Sequence, residues 1–318
     1  MLTYHEGTQK DARPSYRPYA VTVSRLVDLG PSLRRVTFTG EALDGFGTDG
    51  LDQRIKIVFP VDGGFGSLDW HGEDVLTTGG WYSLWRDLPD AERAPFRTYT
   101  VRAVRPEVLE LDVDFVVHAP STDGTDGPAA RWITRATVGD EVIVVGPDAR
   151  SIHSAQGIDW HPGDATCVLL AGDETAAPAI ASILESLPAG IRASAFIEVP
   201  HAADAQPLVV AADVDLQWIA RDAGPDRLEH AVREWLVTHR ADYAPALSSI
   251  TQVVEDVDVD VELIWDSPEA GRGSFYAWLA GESAVIKSLR RLLVTETGID
   301  RSRVAFMGYW RQGRSEAQ

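Results

Sequence analysis

The sequence predicts two domains of different fold class: an antiparallel Greek-key β-barrel, followed by an α/β domain with a doubly wound parallel sheet. Three observations support this. Up to about residue 150, short strand patterns dominate and only one helix pattern occurs, which is typical of a barrel. After about residue 160, strands alternate with helices, which indicates a parallel sheet. The chain has 318 residues, enough for two domains, which we place at residues 18–155 and 163–318.

Strand patterns separated by Gly and Pro fill the first predicted domain. They are YAVTVSRLVDL, SLRRVTFTG, RIKIVFP, RTYTVRAV, VLELDVDFVVH and EVIVVGP. In the fifth, apolar and acidic residues alternate, which predicts one buried face. The helix is expected at Gly127-Pro128, because proline is favoured at the first helical position. Residues 61–95 are rich in Gly, Asp and Trp and are interpreted as a long loop or insertion, in which Trp70, Trp81 and Trp85 are expected to be packing anchors.

Two turns in the second predicted domain follow strands and open helices. The first is GDETAAP after Thr166–Ala171, and the second is WLAGES at Trp278–Ser283. Open α/β sheets bind ligands at the carboxyl ends of their parallel strands, so these turns could line one crevice. Neither turn has the GxGxxG pattern of dinucleotide-binding folds, and an ordinary strand-to-helix turn is the alternative interpretation.

Composition excludes several classes of function. The net charge of −19 and pI of about 4.7 argue against nucleic acid and anionic membrane as partners. Cys167 is the one cysteine, which rules out a disulfide framework and a cysteine-ligated iron–sulfur cluster within the chain. The eight histidines lack metal-ligand spacing, so no bound metal is expected. No apolar run reaches the length of a membrane span and no signal-peptide segment is recognisable, which predicts a cytoplasmic protein without membrane insertion.

The stretch FRTYT carries the first chemical signal. A flavin dinucleotide needs a guanidinium for its diphosphate, an aromatic ring against its flat ring system and a short hydroxyl near the ring nitrogens. Arg97, Tyr99 and Thr100 supply all three. A barrel strand with ordinary surface pairs is the alternative interpretation.

The second signal is the helix start at Gly127-Pro128-Ala129-Ala130. Small residues leave backbone N–H groups at a helix N-terminus approachable, which makes an anion site. A plain helix cap would look the same. The order of the segments is harder to explain by packing: RTYT, a strand ending in His118, the small-residue helix start and then GDEVIVVGP.

Taken together, the chain resembles the siderophore-interacting protein family, FAD-dependent ferric-siderophore reductases within the ferredoxin-reductase-like superfamily. The motifs that carry the resemblance are RTYTVR, DFVVH, GPAARW, VGDEVIVVGP, AGDETAAPA, IEVP, WLAGES and GYWRQG. They follow the family order from about residue 18 to 313. The resemblance implies a flavin-binding barrel followed by a nicotinamide-binding domain.

The resemblance also implies roles for individual residues. Arg97 would hold the FAD diphosphate, Tyr99 and Thr100 would flank the isoalloxazine, and His118 would contact the flavin. Further cofactor contacts would come from Gly127, Ala129, Ala130, Asp173, Thr175, Ala176 and Trp310. The nicotinamide side would be lined by Glu174, Glu198, Gly281 and Glu282.

The implied substrate is a ferric siderophore, an anionic chelate that basic side chains would bind. Candidates are Lys56, Arg54, Arg272 and Arg311, although each could be a solvated surface cation. Electrons would come from NADH, NADPH or a reduced ferredoxin. Glu198 favours NADH, because an acid suits the free ribose hydroxyl, whereas Arg221 could favour the 2′-phosphate of NADPH.

Two alternative functions stay open at this point. One is a flavin reductase of the same superfamily that acts on quinones or on a protein. The other is a non-catalytic siderophore-binding protein that has lost flavin. The chain is expected to be a monomer, and the expanded segments 61–95 and 236–262 could change which substrates enter.

Overall fold

The computed structural model describes residues 9–61, 64–118, 126–225, 227–252, 264–268 and 272–312. The chain divides into two compact units. Among the described residues, the first unit contains those up to Leu29 and Leu33–Ile158, and the second contains Gly30–Ser32 and residues 159–312. Residues 253–263, which include most of the acidic part of the predicted 236–262 expansion, lie outside the described residues. No helix within the described ranges is long and apolar enough to cross a membrane.

The first unit is built on an antiparallel sheet. Its strands among the described residues are β1 (Tyr16–Asp28), β2 (Leu33–Thr39), β3 (Arg54–Val58), β4 (Phe96–Thr100), β5 (Ala103–Arg105), β6 (Glu110–Val116) and β7 (Glu141–Pro147). Their order is β4-β3-β7-β1-β2-β6-β5, and each neighbouring pair is antiparallel.

The sheet curls because the two ends of this order are adjacent in sequence. Only residues 101 and 102 separate β4 from β5, and the Arg102 N–H donates to the carbonyl of Asp112 in β6 at 3.0 Å. The last strand, β7, lies between β1 and β3, a non-sequential placement typical of Greek-key topology. The predicted barrel class is confirmed.

Both faces of β6 are buried, which differs from the predicted single buried face. Leu111, Val113 and Phe115 pack in the barrel core as expected. Asp112 and Asp114 on the opposite face are also buried. Arg105 donates to both carboxylate oxygens of Asp112 at 2.6 and 2.7 Å, and Arg35 does the same to Asp114 at 2.7 and 2.8 Å. Burial of these carboxylates is tolerable because each is paired with a guanidinium.

The segment after β3 is not the long loop that its composition predicted. It contains two short helices, α1 (Glu73–Thr78) and α2 (Trp81–Arg86). Trp70, Trp81 and Trp85 are buried in one cluster, so their predicted role as packing anchors is confirmed. Trp85 is 0% exposed, and its indole N–H donates to the carbonyl of Ala94 at 2.8 Å.

Helix α3 (Pro128–Arg135) begins where the sequence predicted, with Pro128 at its first position and Gly127 before it. It ends at Arg135. Trp132 on this helix packs against Phe38, Phe59 and Phe115, with ring centroids 5.4 to 6.3 Å apart. The helix is therefore held against the barrel core by its aromatic face.

The second unit is a parallel sheet with one antiparallel edge strand. Its strands among the described residues are β8 (Cys167–Asp173), β9 (Arg192–Val199), β10 (Asp213–Ala220), β11 (Trp265–Asp266), β12 (Phe275–Glu282) and β13 (Val304–Trp310). Its helices in the same ranges are α4 (Ala177–Ser186), α5 (Leu228–Thr238), α6 (Arg240–Tyr243) and α7 (Ser283–Arg290).

The strand order β10-β9-β8-β12-β13-β11 reverses direction beside β8. β9 and β10 extend the sheet on one side of β8, and β12 and β13 extend it on the other, all parallel. The chain changes side between β8 and β12, and such a switch point is where doubly wound sheets bind ligands at their carboxyl ends. The predicted α/β class is confirmed, and β11 adds an antiparallel edge strand to the sheet.

Candidate functional site

In the first unit, Arg97 lies beside the N-terminus of α3. A Cβ atom added to Gly127 would be 3.9 Å from a guanidinium nitrogen of Arg97. The first turn of α3 has no acidic residue and no side-chain cap. The first N–H groups of an α-helix have no partner within the helix, so those of Ala129 and Ala130 are available as hydrogen-bond donors to an anionic ligand. A guanidinium, a glycine without a side chain and uncapped amides thus converge on one place.

Tyr99 and Thr100, the predicted aromatic and hydroxyl contacts in β4, lie on opposite faces of the strand. Tyr99 is partly buried against the barrel core, and its ring centroid is 4.3 Å from that of Phe115. Thr100 is buried and pairs across the sheet with Arg54. His118 is exposed and lies two residues beyond the end of β6. The structure therefore brings Arg97 and Tyr99 to one face of β4, as strand alternation predicts.

Lys56 and Arg54 lie on the same face of β3, opposite to the face of Ile55. Both are half-buried, whereas Ile55 between them is in the core. The Lys56 ammonium donates to the hydroxyl of Thr98 at 2.5 Å and lies 5.3 Å from the centre of the Phe96 ring. Thr98 is the cross-strand partner of Lys56, so the register of β3 with β4 fixes this contact. The sequence does not signal the contact with Thr98, because residues 59–95 separate β3 from β4 and their register cannot be read from residue types.

At the switch point of the second unit, the buried carboxylate of Asp173 connects three segments. It accepts hydrogen bonds from the Thr175 N–H at 2.9 Å, the Thr175 hydroxyl at 2.5 Å, the Glu282 N–H at 2.8 Å and the Trp310 indole N–H at 2.7 Å. Burial raises the pKa of Asp173, and the neighbouring Glu174 raises it further, while the bonds from Thr175 and Trp310 act in the opposite direction.

Gly281 permits the close approach of the two turns. Its φ of 150° lies where side chains are disfavoured, and an added Cβ would be 2.7 Å from a carboxylate oxygen of Asp173. Next in the chain, the Glu282 side chain accepts from the Ala284 and Val285 N–H groups and so caps α7. Two turns separated by more than 100 residues thus form one edge, as the sequence predicted.

A second charged cluster lies at the carboxyl ends of β8, β9 and β10. Arg221 donates to both carboxylate oxygens of Glu174, at 2.6 and 2.9 Å, and to Glu198 at 3.3 Å. Glu198 also accepts the Leu228 N–H at 2.7 Å at the start of α5. The bonds to Glu174 and Glu198 raise the pKa of Arg221 although burial opposes this shift.

The remaining predicted residues are placed as follows. Ala176 is fully buried, its methyl group fits against Gly172, and its N–H donates to the Asp173 carbonyl. Arg272 is exposed and Arg311 is half-buried, both in the second unit, whereas Arg54 and Lys56 belong to the first. Trp310 is at the switch point through its bond to Asp173, a contact over 137 residues that no local pattern signals.

Two family models together match most of the chain. The siderophore-interacting FAD-binding domain matches residues 22–151, and the siderophore-interacting protein model matches residues 165–313. The ferric vibriobactin reductase ViuB of Vibrio cholerae is 29% identical, with 90% of this chain and 86% of that protein covered. A protein of Escherichia coli named NADPH-dependent ferric-chelate reductase is 28% identical, with 91% of each chain covered.

Solved structures agree with these matches. A siderophore utilization protein from T. fusca is 26% identical, with a TM-score of 0.66 and with 96% of this chain and 97% of that chain covered. At the level of the fold alone, the ferredoxin reductase of carbazole 1,9a-dioxygenase also matches, with 14% identity, a TM-score of 0.53 and 93% and 70% of the two chains covered. The chain therefore belongs to the siderophore-interacting protein family, with a ferredoxin-reductase-like fold.

Proposed function

We propose that the protein is a FAD-dependent ferric-siderophore reductase that takes electrons from NADH or NADPH, or from a reduced ferredoxin, and releases Fe(II). We assign FAD binding to residues 18–155 and the pyridine nucleotide to residues 163–318. Membership of the siderophore-interacting family and the names of the relatives from Vibrio cholerae and Escherichia coli support this proposal.

The observation that carries the proposal is the guanidinium of Arg97 beside the bare N-terminus of α3. A diphosphate needs positive charge and several N–H donors that no side chain covers. Gly127 provides the space, and the amides of Ala129 and Ala130 provide the donors. The residues present therefore fit the diphosphate of FAD. When bound, FAD would accept hydride and pass on single electrons.

The other residues of the first unit would orient the flavin. Tyr99 would lie against its ring system, because its ring is held by Phe115 and remains partly exposed. Thr100 would offer a hydroxyl to the ring nitrogens, and His118 would contact the flavin from beyond β6. No side chain needs to act as a general base, because the electron transfer itself belongs to the cofactor.

In the second unit, the switch-point edge would receive the donor nucleotide. Asp173 fixes the relative positions of Thr175, Glu282 and Trp310, so this edge is preorganised before a ligand arrives. Gly281 has no side chain, so the two turns that form this edge can approach each other closely. Glu174 and Glu198 would line the same side, and Trp310, which is 37% exposed, would cover part of the bound ligand.

Lys56 and Arg54 are the proposed contacts of the ferric chelate. They put two positive charges on one face of β3, in a protein whose net charge of −19 would otherwise repel an anion. Arg272 and Arg311 are further candidates. Fe(III) is bound by hard anionic oxygen ligands more tightly than Fe(II), so one-electron reduction would weaken the complex and release the metal.

Spectroscopy and anaerobic reduction test the proposal. The purified protein should be yellow, with absorption near ~450 nm, or should take up added FAD. Under anaerobic conditions, NADH, NADPH and reduced ferredoxin are each mixed with the flavoprotein, and a panel of ferric chelates follows. Release of Fe(II) to a ferrous indicator supports the proposal. Colourless protein that binds no FAD would instead identify a siderophore-binding protein, and quinone reduction without Fe(II) release would identify a different reductase.

A lysine variant tests the substrate site. Lys56→Ala should raise KM for the ferric chelate at least about tenfold, because it removes a charge-assisted contact. Lys10→Ala, an exposed lysine of the same unit, is the matched control and should leave KM unchanged. FAD content should be the same in all three proteins. Unchanged iron reduction by Lys56→Ala at limiting chelate would exclude Lys56 from the substrate site.

A further inference from the structure

We infer that the cluster of Glu174, Arg221 and Glu198 makes the protein select NADH and reject NADPH. This inference rests on the pyridine nucleotide site of the proposed function and specifies its ligand. It contrasts with the donor named for the relative from Escherichia coli.

The position of the cluster is the first support. Glu174 follows β8 directly, Glu198 is near the end of β9, and Arg221 follows β10. These three parallel strands are neighbours, so their carboxyl ends form a continuous edge from the switch point outward. In doubly wound sheets, an acidic residue after the second strand of the unit binds the adenosine ribose, and a nearby arginine accommodates a 2′-phosphate. The acid and the arginine are both present in this chain, so their contacts decide the preference.

The contacts of Arg221 place its charge between two carboxylates. Glu174 accepts from both terminal nitrogens of the guanidinium, and Glu198 accepts from one of them. The Glu174 side chain is 4% exposed, so this pair is shielded from water on the side of β8. The three groups together carry one net negative charge. A 2′-phosphate would therefore meet a guanidinium that is already bidentate with a buried carboxylate.

Glu198 retains acceptor capacity for a ribose. One of its oxygens accepts from Arg221 and the other from the Leu228 N–H. An ionised carboxylate has about four lone-pair sites, so about two remain for hydroxyl donors. The adenosine ribose of NADH has a 2′-hydroxyl that can donate, whereas the 2′-phosphate of NADPH presents only acceptors and negative charge at neutral pH.

The energetic consequence is asymmetric between the two nucleotides. NADPH would have to place its phosphate against a net negative cluster or displace Glu174 from Arg221. Displacement would leave a buried carboxylate without its partner, which is strongly unfavourable. NADH requires neither change. We therefore expect a preference for NADH of at least about tenfold, since like-charge contacts oppose the phosphorylated nucleotide.

Variants that remove one negative charge test this. Glu198→Gln keeps an oxygen that can accept from the Leu228 N–H. Glu174→Gln weakens the bidentate ion pair with Arg221. Each should tighten binding of the 2′-phosphorylated nucleotide about tenfold and narrow the NADH preference. Glu185→Gln makes the same change at the C-terminal end of α4, away from the carboxyl ends of the strands, and is the matched control.

The readouts are calorimetric binding of 5′-AMP and 2′-phospho-5′-AMP to the FAD-loaded protein, and anaerobic flavin reduction at limiting NADH and NADPH. Stronger binding of 5′-AMP, with selectivity lost in the two cluster variants and kept in Glu185→Gln, supports the inference. Four results would overturn it. They are equal binding of the two ligands, stronger binding of the phosphorylated ligand, unaltered selectivity in both cluster variants, and no binding of either nucleotide.

Failure of the proposed function gives a different pattern. If the nucleotides bind with the expected selectivity but no Fe(II) is released, the inference holds and the ferric-reductase proposal fails. If chemically reduced flavoprotein releases Fe(II) but binds neither nucleotide, the ferric reductase remains and the inference fails.

Discussion

Replacing Gly127 with alanine should separate FAD binding from protein stability. Gly127 has φ −65° and ψ 163°, which alanine adopts without strain, and it precedes Pro128, which favours this extended conformation. The added methyl carbon would be 3.9 Å from the Arg97 guanidinium, an ordinary van der Waals distance. The substitution therefore creates no clash within the protein.

The expected change in stability is small because two effects oppose each other. Alanine is a poorer N-cap than glycine by up to about 1 kcal/mol. It also lowers the entropy of the unfolded chain, which stabilises the protein by about 0.4–1 kcal/mol. The free energy of unfolding of the apoprotein should thus change by no more than about 0.5 kcal/mol.

FAD binding should change far more. The methyl group would occupy space between the guanidinium and the helix amides, where the diphosphate is proposed to lie. Loss of one charge-assisted hydrogen bond costs about 1.5–3 kcal/mol, so the Kd for FAD should rise roughly 10- to 150-fold.

The assay pairs urea unfolding of the apoprotein with titration of FAD fluorescence. Gly64→Ala is the control, since its added Cβ meets nothing within 4 Å in the same unit. Its FAD affinity should match that of the parent protein, and its free energy of unfolding should rise by no more than about 1 kcal/mol. An unchanged Kd for FAD in Gly127→Ala, with unchanged stability, would refute the assignment of the α3 N-terminus to the diphosphate.

Three further predictions concern buried or partly buried side chains. Trp85→Ala should lower the free energy of unfolding by about 3–5 kcal/mol in urea denaturation, because it leaves a large cavity and removes the donor to Ala94; a loss below about 1 kcal/mol would show that the insertion does not depend on this anchor. Trp310→Phe should raise KM for the pyridine nucleotide without changing FAD content, because the bond to Asp173 that holds the ring in place is lost; an unchanged KM would mean that the indole does not position the nucleotide. Burial raises the pKa of Cys167 to about 11, so its thiolate is nearly absent at pH 8 and the native protein should resist thiol labelling that the urea-unfolded chain undergoes rapidly; equal labelling rates would contradict the burial.

Local sequence patterns predicted the helices and strands more accurately than they predicted how these elements are packed and buried. The start of α3 at Pro128 follows from the fixed φ of proline, and the two sheet types follow from hydrophobic periodicity. The helices of the 61–95 segment were not predicted, because each has only six residues and is stabilised by the tryptophan cluster rather than by its own periodicity. The prediction of a single buried face for β6 was wrong for a related reason. Alternation shows which residues are polar, but the acidic residues can be buried only because arginines of other strands pair with them.

The sequence by itself determined the order of the elements, the two fold classes and the motifs that place the chain in its family, because these depend on local propensity and spacing. Tertiary structure alone decided which polar and charged side chains pair with one another. Arg221 is paired with Glu174 and Glu198, Trp310 with Asp173, and Lys56 with Thr98. These partners lie 23 to 137 residues apart. Strand register and sheet order bring them within hydrogen-bonding distance, and neither can be read from residue types along the chain.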